Sequence, residues 1–317
     1  MSQTVSVEVG EDHLAAFMRS PRIAIAELVW NALDADATEI DVSYQLNNFG
    51  AIEAVVISDN GTGMTPSDAS YGFGNFGNSW KRTATGTPGG RALHGKLGRG
   101  RYTAYSIGAH ALWDTVAEDE RDRKRLTVSG SASNLRNVSI SDSVKTEDPA
   151  GTVVTITDLS EKTSRELARE GMWEELTTRF ALYLEQYPTV TITFRGNPLK
   201  PEGLRTRNET WPIEVDGVTA ELQLIEWDAS KVKVDRKLYL CDEHGSALAD
   251  IPPGIQAPGY QFTAYLRWAG FQAIGHDIIM AEMDKGEAGD LITAAKDQLR
   301  DYFKERANER QKEVIKE

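Results

Sequence analysis

A helical spacing of apolar and polar positions marks the segment from Pro21 to Asp34. Four residues would share the apolar side of such a helix: Ile25, Leu28, Val29 and Ala32. Three residues at i, i+4 and i+7 would share a polar stripe: Glu27, Asn31 and Asp34. Because a first helical turn tolerates proline, the pattern predicts a helix that begins at Pro21, ends near Asp34 and packs its apolar side on a sheet.

After this helix, apolar and polar positions alternate with a period of two residues. Apolar positions alternate over residues 40–46, residues 47–50 have turn composition, and residues 53–58 return, which predicts an antiparallel hairpin. The same criteria predict strands at residues 4–9, 126–130, 137–140, 151–156 and 190–194. Helices are predicted at residues 11–19, 101–110 and 161–187, the last as one helix or a pair. The mixed charges of residues 117–125 indicate a solvated turn.

The pattern breaks at Gly196-Asn197-Pro198, and we expect a domain boundary near residues 195–210. The predicted domains are residues 1–200 and 201–317. The second would contain strands at residues 213–227, 231–241 and 262–268, and a long helix over residues 287–317. One face of that helix is apolar: Leu291, Ile292, Ala295, Leu299 and Phe303.

Composition narrows the class of protein. The 317 residues are 40% hydrophobic and 26% charged, as in ordinary globular proteins. A net charge of -13 argues against a globally basic nucleic-acid binder. Cys241 is the only cysteine, so a cysteine zinc cluster and an intramolecular disulfide are excluded. With no signal peptide and no run of about 18 apolar residues, we expect a cytoplasmic protein without a membrane span.

The polar stripe of the first helix suits metal and water chemistry. Glu27 could take a proton from an attacking water, and Asn31 offers a neutral oxygen to Mg²⁺. The alternative is an ordinary solvated helix face.

An acid and two spaced glycines end the second strand of the hairpin, in the run Asp59-Asn60-Gly61-Thr62-Gly63-Met64. The backbone at Gly61 and Gly63 could approach a flat ligand closely. A buried Asp59 could accept a hydrogen bond from an exocyclic amine such as that of adenine, and Met64 would give the ring a soft apolar wall. An ordinary Asp-Asn-Gly turn is the alternative.

Residues 72–100 are rich in glycine and small polar residues, which predicts a lid or binding loop. The loop ends in Gly95-Lys96-Leu97-Gly98-Arg99-Gly100, directly before a predicted helix, where backbone N–H groups can bind phosphate. Lys96, Arg99 and Arg101 add positive charge. The segment is not a P-loop, because Leu97 occupies the position that needs Ser or Thr for Mg²⁺. Its glycine spacing also differs from the dinucleotide-binding fingerprint.

Four motifs in a fixed order resemble the GHKL superfamily of gyrase B subunits, ninety-kilodalton heat-shock chaperones, histidine kinases, MutL and MORC proteins. They are E-L-V-W-N-A-L-D-A, D-N-G-T-G-M, G-K-L-G-R-G-R-Y-T-A-Y-S-I-G and G-T-V-V-T-I. The resemblance covers residues 10–195 and is faint beyond. It implies an α/β (α+β) two-layer sandwich with a mixed, mostly antiparallel sheet and helices on one face. A smaller β-rich transducer-like domain and a C-terminal helix would follow.

The resemblance also implies residue roles. Glu27 is similar to the general base, Asn31 to the Mg²⁺ ligand, and Asp34 to a polar residue that lines the nucleotide site. Asp59 is similar to the carboxylate that recognises adenine, and Thr152 to a threonine that supports it. The phosphate-wrapping lid glycines correspond to Gly95, Gly98 and Gly100. Trp30 stands where relatives often carry a polar residue.

The implied function is Mg²⁺-dependent ATP binding and slow hydrolysis, coupled to lid closure and homodimer formation. Members with a transducer domain bring a Lys or Arg to the γ-phosphate, and the candidates are Lys231, Lys233, Lys237 and Lys285. The work done by this ATPase would act on DNA or a partner protein. Two alternatives stay open: a nucleotide-gated scaffold without turnover, and a protein kinase of the histidine or serine type with the same fold.

Overall fold

A computed structural model describes residues 3–6, 20–74, 86–91, 93–94, 100–135, 137–274 and 286–314. The chain divides into two compact units. The first comprises Met1–Trp173 and Tyr187–Leu199, and the second comprises Glu174–Gln186 and Lys200–Glu317. Each unit therefore consists of two chain segments, and the units are not separated by a single boundary near residue 200. Among the described helices, none is long and apolar enough to cross a membrane.

The first unit is built on a ten-stranded sheet. Its strands are β1 (Gln3–Ser6), β2 (Glu39–Leu46), β3 (Ile52–Asp59), β4 (His110–Asp119), β5 (Asp122–Ser131), β6 (Asn137–Ile140), β7 (Val144–Lys145), β8 (Gly151–Thr157), β9 (Thr191–Phe194) and β10 (Asn197–Pro198). Its described helices are α1 (Pro21–Asp34), α2 (Pro66–Gly74) and α3 (Glu161–Leu167), with 3-10 helices at Gly100–Ser106 and Ala132–Asn134.

The strand order of this sheet is β1-β6-β5-β4-β8-β3-β2-β9-β10, with β7 paired to β5. Among the described strands of this sheet, only β2 and β9 pair in parallel. Buried and exposed side chains alternate along β4 and β8, so one face of the sheet is covered. Helix α1 contacts β3, α3 and the first 3-10 helix. The predicted mixed, mostly antiparallel sheet with helices on one face is confirmed.

Helix α1 has the predicted bounds, and local signals explain both ends. Ser20 caps its N-terminus by accepting a hydrogen bond from the N–H of Ile23, and Pro21 follows in the first turn. After Asp34 the chain turns through Asp36, whose φ of 59° is left-handed. Ile25, Val29 and the other predicted apolar positions are buried.

Several local predictions are wrong, two of them between residues 101 and 125. The charged run at residues 117–125 is not a solvated turn but the end of the β4–β5 hairpin, with only the turn at its centre. Its charges pair across the strands, Lys124 with Asp119 at 2.8 Å and Arg123 with Glu118 at 3.7 Å. The helix predicted over residues 101–110 is a 3-10 helix that ends at Ser106, because His110 already begins β4.

The predicted helix or helix pair at residues 161–187 is three short helices. They are α3, α4 (Met172–Arg179) and α5 (Ala181–Gln186). Residues 72–74, predicted as part of a loop, form the end of α2. Residues 7–19, predicted as strand and helix, lie outside the described part of the chain.

The second unit contains a five-stranded sheet of order β11-β12-β15-β13-β14. The strands are β11 (Arg205–Val215), β12 (Val218–Trp227), β13 (Lys237–Cys241), β14 (Ala247–Ile251) and β15 (Gln261–Arg267). A 3-10 helix spans Glu202–Leu204, and the helices α6 (Gly270–Ile274) and α7 (Glu287–Val314) follow the sheet in sequence. The single strand predicted over residues 213–227 is broken by Asp216 and Gly217, which both have positive φ and turn the chain into a hairpin.

Helix α7 covers one face of the second sheet. Its five predicted apolar residues are all buried in one hydrophobic cluster with strand residues such as Leu222, Leu240 and Phe262. The sheet also carries buried polar groups. Tyr265 donates its hydroxyl hydrogen to the carbonyl of Thr178, and Arg179 pairs with Asp250 at 2.5 Å. These contacts explain why the segment Glu174–Gln186 belongs to the second unit.

Candidate functional site

Asp59, the last residue of β3, is a largely buried acid that forms no ion pair with the described residues. One of its carboxylate oxygens accepts the N–H of Gly61 at 2.8 Å. Burial raises the pKa of Asp59 to about 6, although hydrogen bonds from the backbone of Gly61 and Thr152 oppose this shift. Within the described ranges, no lysine or arginine forms an ion pair with Asp59. A group of this kind is suited to receive a hydrogen bond from a neutral donor.

Asn60 has a structural role that explains its place in the motif. Its side-chain oxygen accepts the N–H groups of Thr38 and Glu39 at 2.8 and 2.9 Å, and its nitrogen donates to the Thr38 hydroxyl at 3.0 Å. These bonds tie the turn after β3 to the connection between α1 and β2. The position of Asp59 relative to α1 is thereby fixed.

The two glycines of the turn stand where side chains do not fit. A Cβ at Gly63, whose φ is 68°, would lie 2.0 Å from the carbonyl oxygen of Val116. A Cβ at Gly61 would lie 2.6 Å from the carbonyl oxygen of Ala35. The turn is therefore pressed between the end of α1 and strand β4, which requires glycine.

Thr115 is a site residue that sequence reasoning missed. It is fully buried on β4, and its hydroxyl accepts the N–H of Met64 at 2.9 Å. The same hydroxyl lies 3.1 Å from that of Thr152 on β8. Thr115 and Thr152 thus form a small polar floor next to Asp59. A threonine in the buried register of a strand, between Trp113 and Ala117, was the available signal.

The polar stripe of α1 contacts His94, which lies within the glycine-rich segment, directly before Gly95. Asp34 is only 4% exposed and accepts the backbone N–H of His94 at 2.8 Å. Glu27 is 21% exposed, and its Oε1 lies 3.9 Å from His94 Nε2. Asn31, between them on the helix, is half-buried. The stripe therefore is not a fully solvated helix face.

Asp36 anchors part of the predicted lid. Its carboxylate accepts hydrogen bonds from the Thr87 hydroxyl, from the N–H of Gly89 at 2.7 Å and from Arg91 Nε at 3.2 Å. Residues 86–91 and 93–94 are thus fixed to the C-terminal end of α1. Gly100 begins a 3-10 helix. The predicted phosphate-binding residues Gly95, Lys96, Leu97, Gly98 and Arg99 lie outside the described residues.

The lysines considered for the γ-phosphate differ in their surroundings. Lys237 is 19% exposed and lies 3.2 Å from Glu175 and 3.3 Å from Asp250. Lys231 pairs with Asp228 at 3.3 Å on the exposed connection before β13. Lys285 lies outside the described residues. Lys237 therefore already neutralises buried acids of its own unit.

The donor groups of the described residues limit the ways in which a metal ion could bind. In the part of the chain that the structure describes, no three His, Cys, Asp or Glu side chains come together as a metal site. Mg²⁺ commonly takes one or two protein ligands and completes its shell with waters and substrate phosphates. Asn31, with one neutral oxygen on a half-buried helix position, fits that mode.

Known proteins share sequence or structural similarity with this chain. Residues 18–166 match the family described as "Histidine kinase-, DNA gyrase B-, and HSP90-like ATPase". No curated protein matches the chain. Among solved structures, the chain is similar to the MutL ATPase domain of Aquifex aeolicus complexed with ADP. The identity is 17% and the TM-score 0.42, over 81% of this chain and 95% of that one. On the family match, residues 18–166 form an ATP-binding domain of the GHKL superfamily.

Proposed function

We propose that this protein hydrolyses ATP with Mg²⁺ and that Glu27 is the general base. The observation that carries the proposal is the position of Glu27 on α1. It is partly exposed at 21%, lies one helical turn before Asn31 and is held beside the buried His94. A base placed in this way has access to water while its helix is fixed against the sheet.

Asp59 is proposed to recognise the adenine. Its carboxylate lacks a cation among the described residues, and its pKa is raised to about 6, so at neutral pH it is an ionised acceptor in need of a donor. The exocyclic amine of adenine is such a donor. Thr152, next to Thr115, would support the same edge of the base, and Gly61, Gly63 and Met64 would form the adjoining wall.

Mg²⁺ is proposed to bind through Asn31 together with the phosphates of ATP. When bound, the ion would neutralise phosphate charge and hold the phosphates in a defined orientation. Asp34 fixes the backbone at His94 through its 2.8 Å hydrogen bond, directly before the glycine-rich run proposed to bind phosphate, so we assign it a supporting role.

The test is phosphate release by the wild-type chain and by Glu27→Gln, a nearly isosteric change. We expect hydrolysis to fall by about 100-fold or more, the usual contribution of a general base, with the ATP dissociation constant within about threefold of wild type. Glu53→Gln, at an exposed position of β3, is the matched control and should hydrolyse normally.

Two results would contradict this function. If the wild type binds ATP without releasing phosphate, the chain is a nucleotide-gated scaffold. If γ-labelled ATP labels a protein instead of yielding free phosphate, it is a kinase. Equal hydrolysis by wild type and Glu27→Gln would reject Glu27 as the base.

We further propose that ATP closes the lid predicted over residues 72–100 and brings two copies of the chain together. A ligand changes such an equilibrium only when it binds the closed state more tightly. We expect a non-hydrolysable ATP analogue to shift the oligomeric state from monomer to dimer and to protect the lid from hydrogen exchange. An unchanged mass with saturating analogue would reject this coupling.

A further inference from the structure

Three side chains of α1 converge on His94. Glu27, Trp30 and Asp34 are spaced at i, i+3 and i+7, so they lie along one side of the helix. Asp34 accepts the backbone N–H of His94 at 2.8 Å. The Trp30 and His94 rings are stacked, with centroids 4.2 Å apart and planes 13° apart. Nε2 of His94 lies 3.9 Å from Oε1 of Glu27.

These contacts fix the imidazole in place. His94 and Trp30 are only 4% and 2% exposed, so the stacked pair is buried. Nδ1 of His94 is buried and has no hydrogen-bond partner among the described residues. A proton on Nδ1 would leave a buried N–H donor without an acceptor. This costs more free energy than leaving an unprotonated Nδ1 without a donor. The surroundings therefore favour the tautomer with its proton on Nε2, directed toward Glu27.

We infer that His94 is a positioning residue for the general base: its Nε2–H holds Oε1 of Glu27 and so fixes the orientation in which the carboxylate takes a proton from the attacking water. This role rests on the proposed function of Glu27. The distance of 3.9 Å is longer than a hydrogen bond, and bonds between catalytic groups commonly shorten when substrate is bound. A glutamate with several rotatable bonds gains most from such a fixed neighbour.

The inference also gives Trp30 a physical role. Its indole provides the flat wall on which the imidazole lies, and so it sets the plane in which Nε2 approaches Glu27. Asp34 thus fixes the backbone of His94, Trp30 fixes the plane of its ring, and Glu27 accepts the hydrogen bond from its Nε2–H.

The test uses the full chain and two substitutions that separate the nitrogen from the ring. His94→Phe keeps an aromatic ring on Trp30 but removes the donor, whereas His94→Gln keeps an amide donor and removes the ring. We expect His94→Phe to lower kcat by about 10- to 100-fold, the scale of a misplaced catalytic group, with KM and ATP affinity within about threefold. His94→Gln should recover to within about fivefold of wild type because it retains the N–H donor.

His110→Phe is the matched control. His110 is exposed on β4, where Nδ1 lies 2.6 Å from Asp158, and the substitution should leave kcat unchanged. Thermal unfolding of each variant checks the fold. An His94→Phe variant with wild-type kcat would overturn the inference. So would equal losses in both His94 variants together with lost ATP binding, which would show a structural role only. A wild type that binds ATP without turnover would remove the base itself, and this outcome is distinct from the other two.

Discussion

Asp59 in the first unit and Asp250 in the second are both mostly buried carboxylates, but their surroundings differ in charge. Burial would raise the pKa of Asp250, yet Arg179 and Lys237 outweigh it and lower that pKa below its usual value. Asp59 has no such cations within the described residues, and burial raises its pKa to about 6. The same side chain is thus neutralised in one unit and left uncompensated in the other.

The second unit repeats this compensation elsewhere. Glu226, 4% exposed, accepts hydrogen bonds from Tyr302 and from Arg306 Nε on α7, the latter at 3.1 Å. Buried charges of that unit therefore contribute to the scaffold. The uncompensated charge of Asp59 costs folding free energy instead, as expected of a group whose partner is a ligand. Three equivalent Asp→Asn substitutions can test this contrast.

The largest effect is expected at Asp250. Asp250→Asn leaves Arg179 and Lys237 with reduced compensation, and breaking a buried ion pair on one side costs about 3–5 kcal/mol. The free energy of unfolding should fall accordingly, measured by denaturant unfolding at pH 7. ATP affinity per folded molecule should not change.

Asp59→Asn should give the opposite stability result in the same assay. Since its folded pKa of about 6 lies above the ordinary aspartate value of 3.8, the folded protein binds more protons than the unfolded chain between these values. Stability from this group therefore rises as the pH falls through about 6, and at pH 7 the ionised form is unfavourable. We expect the variant to be as stable as wild type or more stable. A loss similar to that of Asp250→Asn would refute the contrast.

The next effect concerns ligand affinity. Asp59→Asn should weaken ATP binding by about 1–3 kcal/mol, since the amine of adenine would lose a charged acceptor. Equilibrium binding of a non-hydrolysable analogue measures this loss, with Asp250→Asn as the comparison. Unchanged affinity would remove Asp59 from the adenine site.

A pH titration sharpens the same assignment. The ionised carboxylate is the binding form, so affinity should be constant above pH 6 and fall by up to about tenfold per pH unit below it. Because the γ-phosphate of ATP also titrates, the Asp59→Asn variant is measured in parallel, and the difference between the two curves isolates Asp59. Parallel curves for both proteins would contradict the prediction.

Local sequence patterns were sufficient to predict the elements that depend mainly on residues close to one another in the sequence. Helix α1 followed from its apolar spacing and from Pro21, and the β2–β3 hairpin from strict alternation around a turn. The apolar face of α7 was equally clear. Asp59 could be singled out because an acid before two spaced glycines, at the end of a strand, predicts a tight turn whose backbone can approach a ligand.

The remaining features depend on residues distant in sequence. The charges of residues 117–125 resemble a turn until they pair across two strands, as Arg125 does with Asp114. His94 and Thr115 acquire their roles only when α1 and β3 lie beside them. Trp30 likewise has no evident function until the ring stacked on it is known.

The smallest effect is expected at Asp122, which tests whether burial or ion pairing makes Asp250 important. Asp122 also pairs with a lysine, Lys145, at 2.6 Å, but the two side chains are 46% and 65% exposed. Exposed pairs contribute about 0.2–1 kcal/mol, because water screens them and the side chains lose freedom. Asp122→Asn should therefore lower the free energy of unfolding by no more than this amount, and the loss should disappear in about 1 M salt. A loss comparable to that of Asp250→Asn would show that ion pairing, and not burial, makes Asp250 important.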